Sequence, residues 1–288
     1  MDRQYFKTVK VDGLNIFYRE AGDKNKPTIL LLHGFPSSSH MFRDLINDLA
    51  ADYHLIAPDY PGFGQSSSPT LYAYNYTFDN LALTINHFID ALELKQFSLY
   101  VHDYGGPIGF RVAAARPGLI QSLIIQNANA YNEGLGGALE PLVAYIKNPN
   151  TTTEKNVRFF LSRGSTQWLY MEGAEDISKI SPDGFTIAQY YLDRPGNDII
   201  QLALFRNYGT NLPLYDVWQS YFRENQPATL VISGKNDKLF LAAGAEAFKK
   251  DIKNAQISLL NGGHFVLEEK HAEAALIIKS FLSKEGIM

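Results

Sequence analysis

The sequence predicts an α/β protein: a mostly parallel, eight-stranded sheet flanked by helices, with a helical segment inserted after the sixth strand. Three observations carry that prediction. Unbroken apolar runs such as Thr28-Ile29-Leu30-Leu31-Leu32, bounded by Pro27 and His33-Gly34, are the signature of strands buried on both faces. These runs alternate with helical stretches of about 10–15 residues, the spacing of βαβ units with right-handed crossovers. The rhythm breaks over residues 131–222, where scattered aromatics and turn signals replace any buried-strand run, and resumes afterwards.

Taken in order, alternating runs at 6–11 and 14–20 flank Asp12-Gly13 and predict an antiparallel hairpin. Strands follow at 28–32, 53–57, 97–102 and 119–126, separated by helices at 41–51, 77–92 and 106–115. The interruption carries turn signals at Asn148-Pro149, Ser181-Pro182-Asp183-Gly184 and Arg194-Pro195-Gly196 and reads as a mostly helical cap. Strands at 229–233 and 256–260, with helices at 242–251 and 272–283, complete the alternation. The expected division is a core of residues 1–130 and 223–288 and a cap of residues 131–222. There is no internal repeat, and the triplets Ser37-Ser38-Ser39 and Ser66-Ser67-Ser68 are too short to count as low complexity.

Composition agrees with an ordinary globular protein. At about 150 residues per domain, 288 residues make one large interrupted domain or two modest ones. The 26 Lys and Arg against 30 Asp and Glu, without long like-charge runs, leave no electrostatic footprint for nucleic acid or an anionic membrane. Cysteine is absent, which excludes disulfides, thiolate metal sites and Cys nucleophiles. The start, Met1-Asp2-Arg3-Gln4-Tyr5-Phe6-Lys7, has no apolar segment behind its charges, and no stretch approaches the roughly 18 apolar residues of a membrane span. The expectation is a cytoplasmic monomer or homodimer acting on a small molecule. With 17 Tyr and 18 Phe, the chain can furnish an apolar ligand pocket as well as an aromatic core.

The segment Leu99-Tyr100-Val101-His102-Asp103-Tyr104-Gly105-Gly106-Pro107 joins an apolar strand to a helix through a turn holding an acid and then glycines. A nucleophile elbow has this form, with the helix N-terminus facing the nucleophile's charge. Asp103 stands at the nucleophile position, and a carboxylate there attacks carbon to form an ester; Asp is also a common helix cap. Two later segments favour chemistry. Ser233-Gly234-Lys235-Asn236-Asp237 and Asn261-Gly262-Gly263-His264-Phe265 each follow a predicted strand, at the edge where open α/β sheets bind ligands. The chain order Asp103, Asp237, His264 is that of nucleophile, acid and base. In Leu32-His33-Gly34-Phe35-Pro36, Gly34 allows a tight turn, and the Phe35 and Tyr104 backbone N–H groups can form an oxyanion hole. Pro36 can hold that turn rigid through a cis bond. The glycine-rich stretch Asp59-Tyr60-Pro61-Gly62-Phe63-Gly64-Gln65-Ser66 reads as a structural turn below the site.

Together, His33-Gly34-Phe35-Pro36, Asp59 with Gly62, Gly64 and Ser66, His102-Asp103-Tyr104-Gly105-Gly106, Asp237 and Gly263-His264 resemble the α/β-hydrolase superfamily over nearly the whole chain. The Asp nucleophile is similar to that of the epoxide hydrolase and haloalkane dehalogenase branch. One residue departs from the pattern: Val101, two before the nucleophile, where a small residue is usual and a β-branched one leaves little room for the helix.

Within that branch the resemblance leans toward epoxide hydrolases, which have a His-Gly-x-Pro motif, often with Phe at x, and cap tyrosines that hold the epoxide oxygen. Phe35 fits. Leu204-Phe205-Arg206-Asn207-Tyr208 looks like the segment bearing one such tyrosine and makes Tyr208 the first candidate; Tyr145, Tyr170, Tyr190 and Tyr191 compete for the other, with Tyr145 and Tyr190 carried forward. His33, Pro36 and Trp168 are expected to line the substrate pocket. Haloalkane dehalogenases usually carry Trp after the nucleophile and an Asn or cap Trp as second halide donor. This chain has Tyr104 and Phe35 at the first two places, leaving Trp168 or Trp218 for the third. Some place the acid after the sixth strand, but Gln126-Asn127-Ala128-Asn129 offers no carboxylate. Fluoroacetate-type enzymes add arginines near the nucleophile, whereas here Pro107 follows Gly106 and Arg111 lies a turn onward.

The implied reaction is two-step hydrolysis of an epoxide to a vicinal diol: Asp103 forms the ester, and His264, oriented by Asp237, activates water against it. It needs no metal and no organic cofactor. The alternatives are a dehalogenase and, in a different class, a non-catalytic ligand-binding homologue. An esterase requires a Ser nucleophile, which the elbow lacks, since Ser37 and Ser66 lie in other loops.

Overall fold

In the computed structural model, which describes residues 4–288, Asp12 (φ 51°) and Gly13 (φ 80°) form the tight turn between β1 (Tyr5–Val11) and β2 (Leu14–Ala21). Both residues adopt the positive φ that a type I′ turn demands, which is why Asp-Gly marks it in sequence. The part of the N-terminal reading that falls on Met1, Asp2 and Arg3 lies outside the described residues.

The sheet continues through β3 (Thr28–Leu32), β4 (His54–Pro58), β5 (Phe97–His102), β6 (Ile120–Gln126), β7 (Ala228–Gly234) and β8 (Gln256–Leu260). Its order is β1-β2-β4-β3-β5-β6-β7-β8; β2 pairs antiparallel with β1 and β4, and every other pairing is parallel. The chain leaves β3 for β4 on one side and returns to β5 on the other. The crevice between the carboxyl ends of β3 and β5 is therefore the topological switch point, where such sheets bind ligands.

Helices α1 (Arg43–Leu49), α2 (Phe78–Ala91) and α3 (Gly105–Ala115) cover the sheet with the C-terminal helices described below. Thr77 caps α2 by accepting from Asn80 N at 3.1 Å, and Leu81, Ile85, Phe88 and Ile89 turn its apolar stripe inward. Leu30, Leu31 and Leu32 are fully buried; truncating any one to Ala costs about 2–5 kcal/mol.

Between β6 and β7 lie six α-helices, called the cap below: α4 (Glu140–Lys147), α5 (Thr151–Val157), α6 (Arg163–Met171), α7 (Pro182–Leu192), α8 (Asn197–Asn207) and α9 (Tyr215–Asn225). Helices α10 (Ala242–Ala247) and α11 (Leu267–Lys284) finish the core. The last helix starts earlier than the 272 that periodicity predicts. Its charged first turn is held by tertiary contacts that no local pattern reveals, with buried Glu268 accepting from Arg43 Nη2 at 2.7 Å. Among the described residues, no helix is long and apolar enough to cross a membrane.

Candidate active site

Asp103 stands where β5 turns into α3, at φ 49°. A Cβ on Gly105 would lie 2.2 Å from Leu32 O, and one on Gly34 would lie 2.4 Å from Asp103 Oδ1. Glycine at both places is what lets the elbow approach the end of β3. The result is direct contact across the switch point: Phe35 N donates to Asp103 Oδ1 at 2.6 Å, and the Tyr104 backbone N–H also faces the carboxylate. The Phe35–Pro36 bond is cis.

The other carboxylate oxygen, Oδ2, lies 3.8 Å from His264 Nε2, and His264 Nδ1 is 2.8 Å from Asp237 Oδ2. Asp237 is buried and fully engaged, accepting from Leu239 N at 2.7 Å and from Asn127 Nδ2 at 2.8 Å. The structure thus brings together residues separated by more than a hundred positions in the chain.

Electrostatics follow from burial. Loss of water raises the Asp103 carboxyl above its ordinary value, against the opposing pull of His264 and the Phe35 and Tyr104 N–H groups. Burial alone disfavours the His264 imidazolium, yet Asp237, and then Asp103, outweigh it and hold His264 above 6.5. Burial holds the phenols of Tyr104 and Tyr208 well above 10, with the Asp103 charge adding to the effect. Both remain neutral hydrogen-bond donors throughout the physiological range.

Asp103, Tyr104, His264 and Phe35 open onto a cavity under the cap, joined from the core by Leu239 and Phe240. The cap contributes Leu139, Leu142, Phe160, Leu169, Phe205 and Tyr208. Of the residues expected there on sequence grounds, Tyr208 is placed on the cavity and several others are not. Tyr190 is 70% exposed, because α7 turns it outward. Tyr145 is buried but faces a separate cleft beside Arg158 and Arg206. Trp168 is half-buried one position from Leu169, and the turn of α6 gives the cavity to Leu169 instead. His33 and Pro36 are buried away from the cavity. His33 is structural: its Nε2 accepts from Tyr60 N at 3.4 Å, and its carbonyl accepts from Tyr60 Oη at 2.9 Å.

The remaining competitors are also occupied elsewhere. Tyr170 stacks on Phe265 at 3.9 Å between ring centroids, and Tyr191 accepts from Gln65 Nε2 at 2.6 Å. Trp218 is buried against Phe110. Arg111 binds Asp79 at 2.6 Å and Asn211 at 2.9 Å, off the cavity. The loop at 59–66 is structural as read: Asp59 accepts from Ser39 N and Gln65 N, both at 2.7 Å.

Three features were not visible in the sequence. Asn127 (φ 43°) directly follows β6 and ties the site together, since its carbonyl accepts from Asp103 N at 3.2 Å, its Oδ1 from Gly234 N at 3.1 Å, and its Nδ2 donates to Asp237. Asn after a strand is a signal for positive φ, but its partners are distant in sequence. His102 is wholly buried with its ring 4.8 Å from that of His264, and burial keeps it well below 6.5, hence neutral. The cap segment at 172–176 rests on the loops bearing Asp237 and His264: Asn236 Nδ2 donates to Gly173 O at 2.9 Å, and Glu269 accepts from Glu175 N and Asp176 N at 3.0 and 3.1 Å.

Fold and site define an α/β protein with a buried aspartate at a strand-to-helix turn, beneath the helices inserted between β6 and β7. Residues 27–271 match the family described as alpha/beta hydrolase fold; the chain belongs to that family and is a hydrolase of it. It is 39% identical to an uncharacterized hydrolase of Saccharomyces cerevisiae over 92% of each chain. It is 24% identical to epoxide hydrolase 4 of Homo sapiens over 96% of this chain and 78% of that one. The fold superimposes on the haloalkane dehalogenase DatA of Agrobacterium tumefaciens with a TM-score of 0.81 at 23% identity, covering 98% of this chain and 97% of that one.

Proposed function

We propose that the protein hydrolyses epoxides to vicinal diols through an ester on Asp103. The observation that carries this reading is the division of labour on one buried carboxylate: Oδ1 is held by the Phe35 N–H while Oδ2 is left free beside His264 Nε2. In the first step Oδ2 attacks an epoxide carbon. The C–O bond breaks, its electron pair stays on the epoxide oxygen, and Tyr208 hydrogen-bonds and protonates that oxygen. In the second step His264 Nε2 takes a proton from water, which attacks Asp103 Cγ. The charge that develops on Oδ1 meets the Phe35 and Tyr104 N–H groups; a donor so placed contributes roughly 3–4 kcal/mol in other enzymes. Collapse expels the diol oxygen, which takes the proton from His264, and the water's second proton, left on the Asp103 carboxyl, passes to the Tyr208 phenolate, so that both groups return to their starting state.

The 3.8 Å between Oδ2 and Nε2 is too long for a direct hydrogen bond and leaves a water within reach of both. Asp237 keeps Nδ1 protonated and Nε2 basic. The name of the human relative points the same way. The division of the chain into a core of 1–130 and 223–288 and a cap of 131–222 belongs to this reading, with the cap closing the site from water.

A dehalogenase reading has one observation in its favour. The hydroxyl of Tyr104 is buried without a partner, and Tyr104 and Tyr208 both line the cavity, two phenols whose hydroxyls could serve a departing halide. One experiment separates the readings. His264→Ala is incubated with epoxides and, separately, with haloalkanes, followed by intact mass spectrometry and peptide mapping. A whole epoxide added to the Asp103 peptide is the expected result. Addition of an alkyl group with halide release makes the protein a dehalogenase, and a ligand bound but recovered unchanged, with no adduct, makes it a non-catalytic homologue.

A further inference from the structure

The cavity beneath the cap is small, and packed aromatic rings wall it. The space open to the centre of a water-sized sphere is about 30 Å³, whereas an engineered apolar cavity that takes benzene measures about 150 Å³. Its cap side carries no charge and, Tyr208 apart, no polar group. Phe205 closes one side by setting its ring against Phe35 at 5.1 Å and 70°, and against Phe160 at 6.1 Å and 64°. Phe35 leans in turn on Tyr104 at 5.9 Å. Each ring in this row is 7% exposed or less, so none can swing into solvent to lengthen the site, and moving Phe205 means moving helix α8. Flexible side chains such as Met, which would let the site repack, are absent from the lining.

We propose that the enzyme is selective for short terminal epoxides without polar substituents, smaller than the six carbons of the benzene that a much larger cavity takes, and that Phe205 with Phe160 forms the wall that sets the limit. The inference rests on Asp103 being the ester-forming nucleophile. It adds what that chemistry leaves open, namely the substrate class. An added methylene that does not fit is rejected by a factor of about 10–200.

The test measures kcat/KM for diol formation from straight-chain 1,2-epoxyalkanes of three to eight carbons, with the wild type, Phe205→Ala and Phe160→Ala. The expected result is a fall of at least about tenfold between four and six carbons in the wild type. In at least one folded variant the longer substrates gain by a similar factor while the shortest loses. Equal rates on the three- and eight-carbon epoxides in the wild type overturn the proposal.

A binding readout keeps the proposal separate from the chemistry. The thermal midpoint is measured in n-alkanols of two to eight carbons, since a ligand that binds only the native state raises it. Stabilisation by propanol and butanol but not hexanol in the wild type, extended to hexanol in a variant, upholds the wall even where no epoxide is turned over; that outcome overturns the epoxide reading alone. Hexanol stabilising the wild type as well as propanol does overturns the wall alone.

Discussion

Val101 Cγ1 lies 2.5 Å from the point where Gly109 would carry a Cβ. The β-branched residue two before the nucleophile, the one departure from the elbow pattern, is thus accommodated by a glycine on the facing turn of α3. A pocket for Val101 has been cut into the helix, so α3 still approaches β5 and the elbow keeps its shape. The two positions are coupled. Gly109→Ala is expected to destabilise the protein by about 1–3 kcal/mol, the usual cost of overpacking, and Val101→Ala to remove most of that penalty. Denaturant unfolding of the four proteins in a double-mutant cycle measures the coupling; additive single effects would refute it.

The carboxylate of Asp103 is the proposed nucleophile, and the ester step has no substitute for it. Asp103→Ala should lower diol formation at least roughly a thousandfold with unfolding behaviour retained. Asp237→Asn should leave adduct formation at Asp103 nearly intact and slow its breakdown by up to about ten-thousandfold, through loss of the charge and tautomer that support His264. Rapid-quench mass spectrometry resolves the two steps, and equal slowing of both by Asp237→Asn would contradict these roles.

Asp237 and Asp103 hold His264 above 6.5 against the effect of burial. In the ester the Asp103 charge is gone, so Asp237 alone opposes burial and His264 titrates below its value in the free enzyme. The water-activating form is the neutral imidazole, so ester breakdown should rise with pH. Removing the Asp237 charge should move the midpoint down. Single-turnover decay of the ester from pH 5.5 to 9 gives the profile, and breakdown that does not rise with pH, or a midpoint unmoved by Asp237→Asn, would count against the assignment.

Gly34 packs against Asp103, where a Cβ on it would lie 2.3 Å from Asp103 Cβ. Gly34→Ala should displace the Phe35 N–H from Oδ1 and lower kcat by about 10²–10³, the loss typical of one oxyanion donor. Steady-state kinetics beside a thermal melt distinguish this from unfolding; a folded variant with unchanged kcat would be the contrary result.

His33 and His102 are both buried, and burial lowers both below 6.5 in the folded state. The unfolded chain therefore takes up protons below about pH 6.5 that the native state refuses. Stability is present above that pH and is lost as pH falls, at up to about 1.4 kcal/mol per pH unit for each histidine. His264 shifts the opposite way and offsets part of the loss. Urea unfolding at pH 7.5 and 5.5 should show the protein weaker at 5.5 by about 1–3 kcal/mol, and His102→Gln should reduce the difference. Equal stability at the two values would refute this.

The strands were legible because burial on both faces writes itself as continuous apolar runs, as in 28–32 and 97–102, whose predicted bounds coincide with β3 and β5. The elbow was legible for a related reason: Asp103, Gly105 and Gly34 are residue types that a close turn requires whatever else surrounds it. Asp237 and His264 were singled out because loops after strands must end at one edge of a parallel sheet. Helix α11 was read too short because its first turn depends on Glu268 meeting Arg43, a contact 225 positions away.

The sequence by itself determined the order of elements, the hairpin and the helical character of the stretch between β6 and β7, and it singled out Asp103, Asp237 and His264, which the fold brings together, since each depends on local stereochemistry or on periodicity along one strand or helix. Tertiary structure decided which cap side chains face Asp103. Tyr145, Trp168 and Tyr190 were as eligible by composition as Leu169, Phe205 and Tyr208, but the rotation of each cap helix about its axis is fixed by packing against the core and not by its own residues. A rotation of about 100° per residue is enough to give the cavity to Leu169 and withhold it from Trp168.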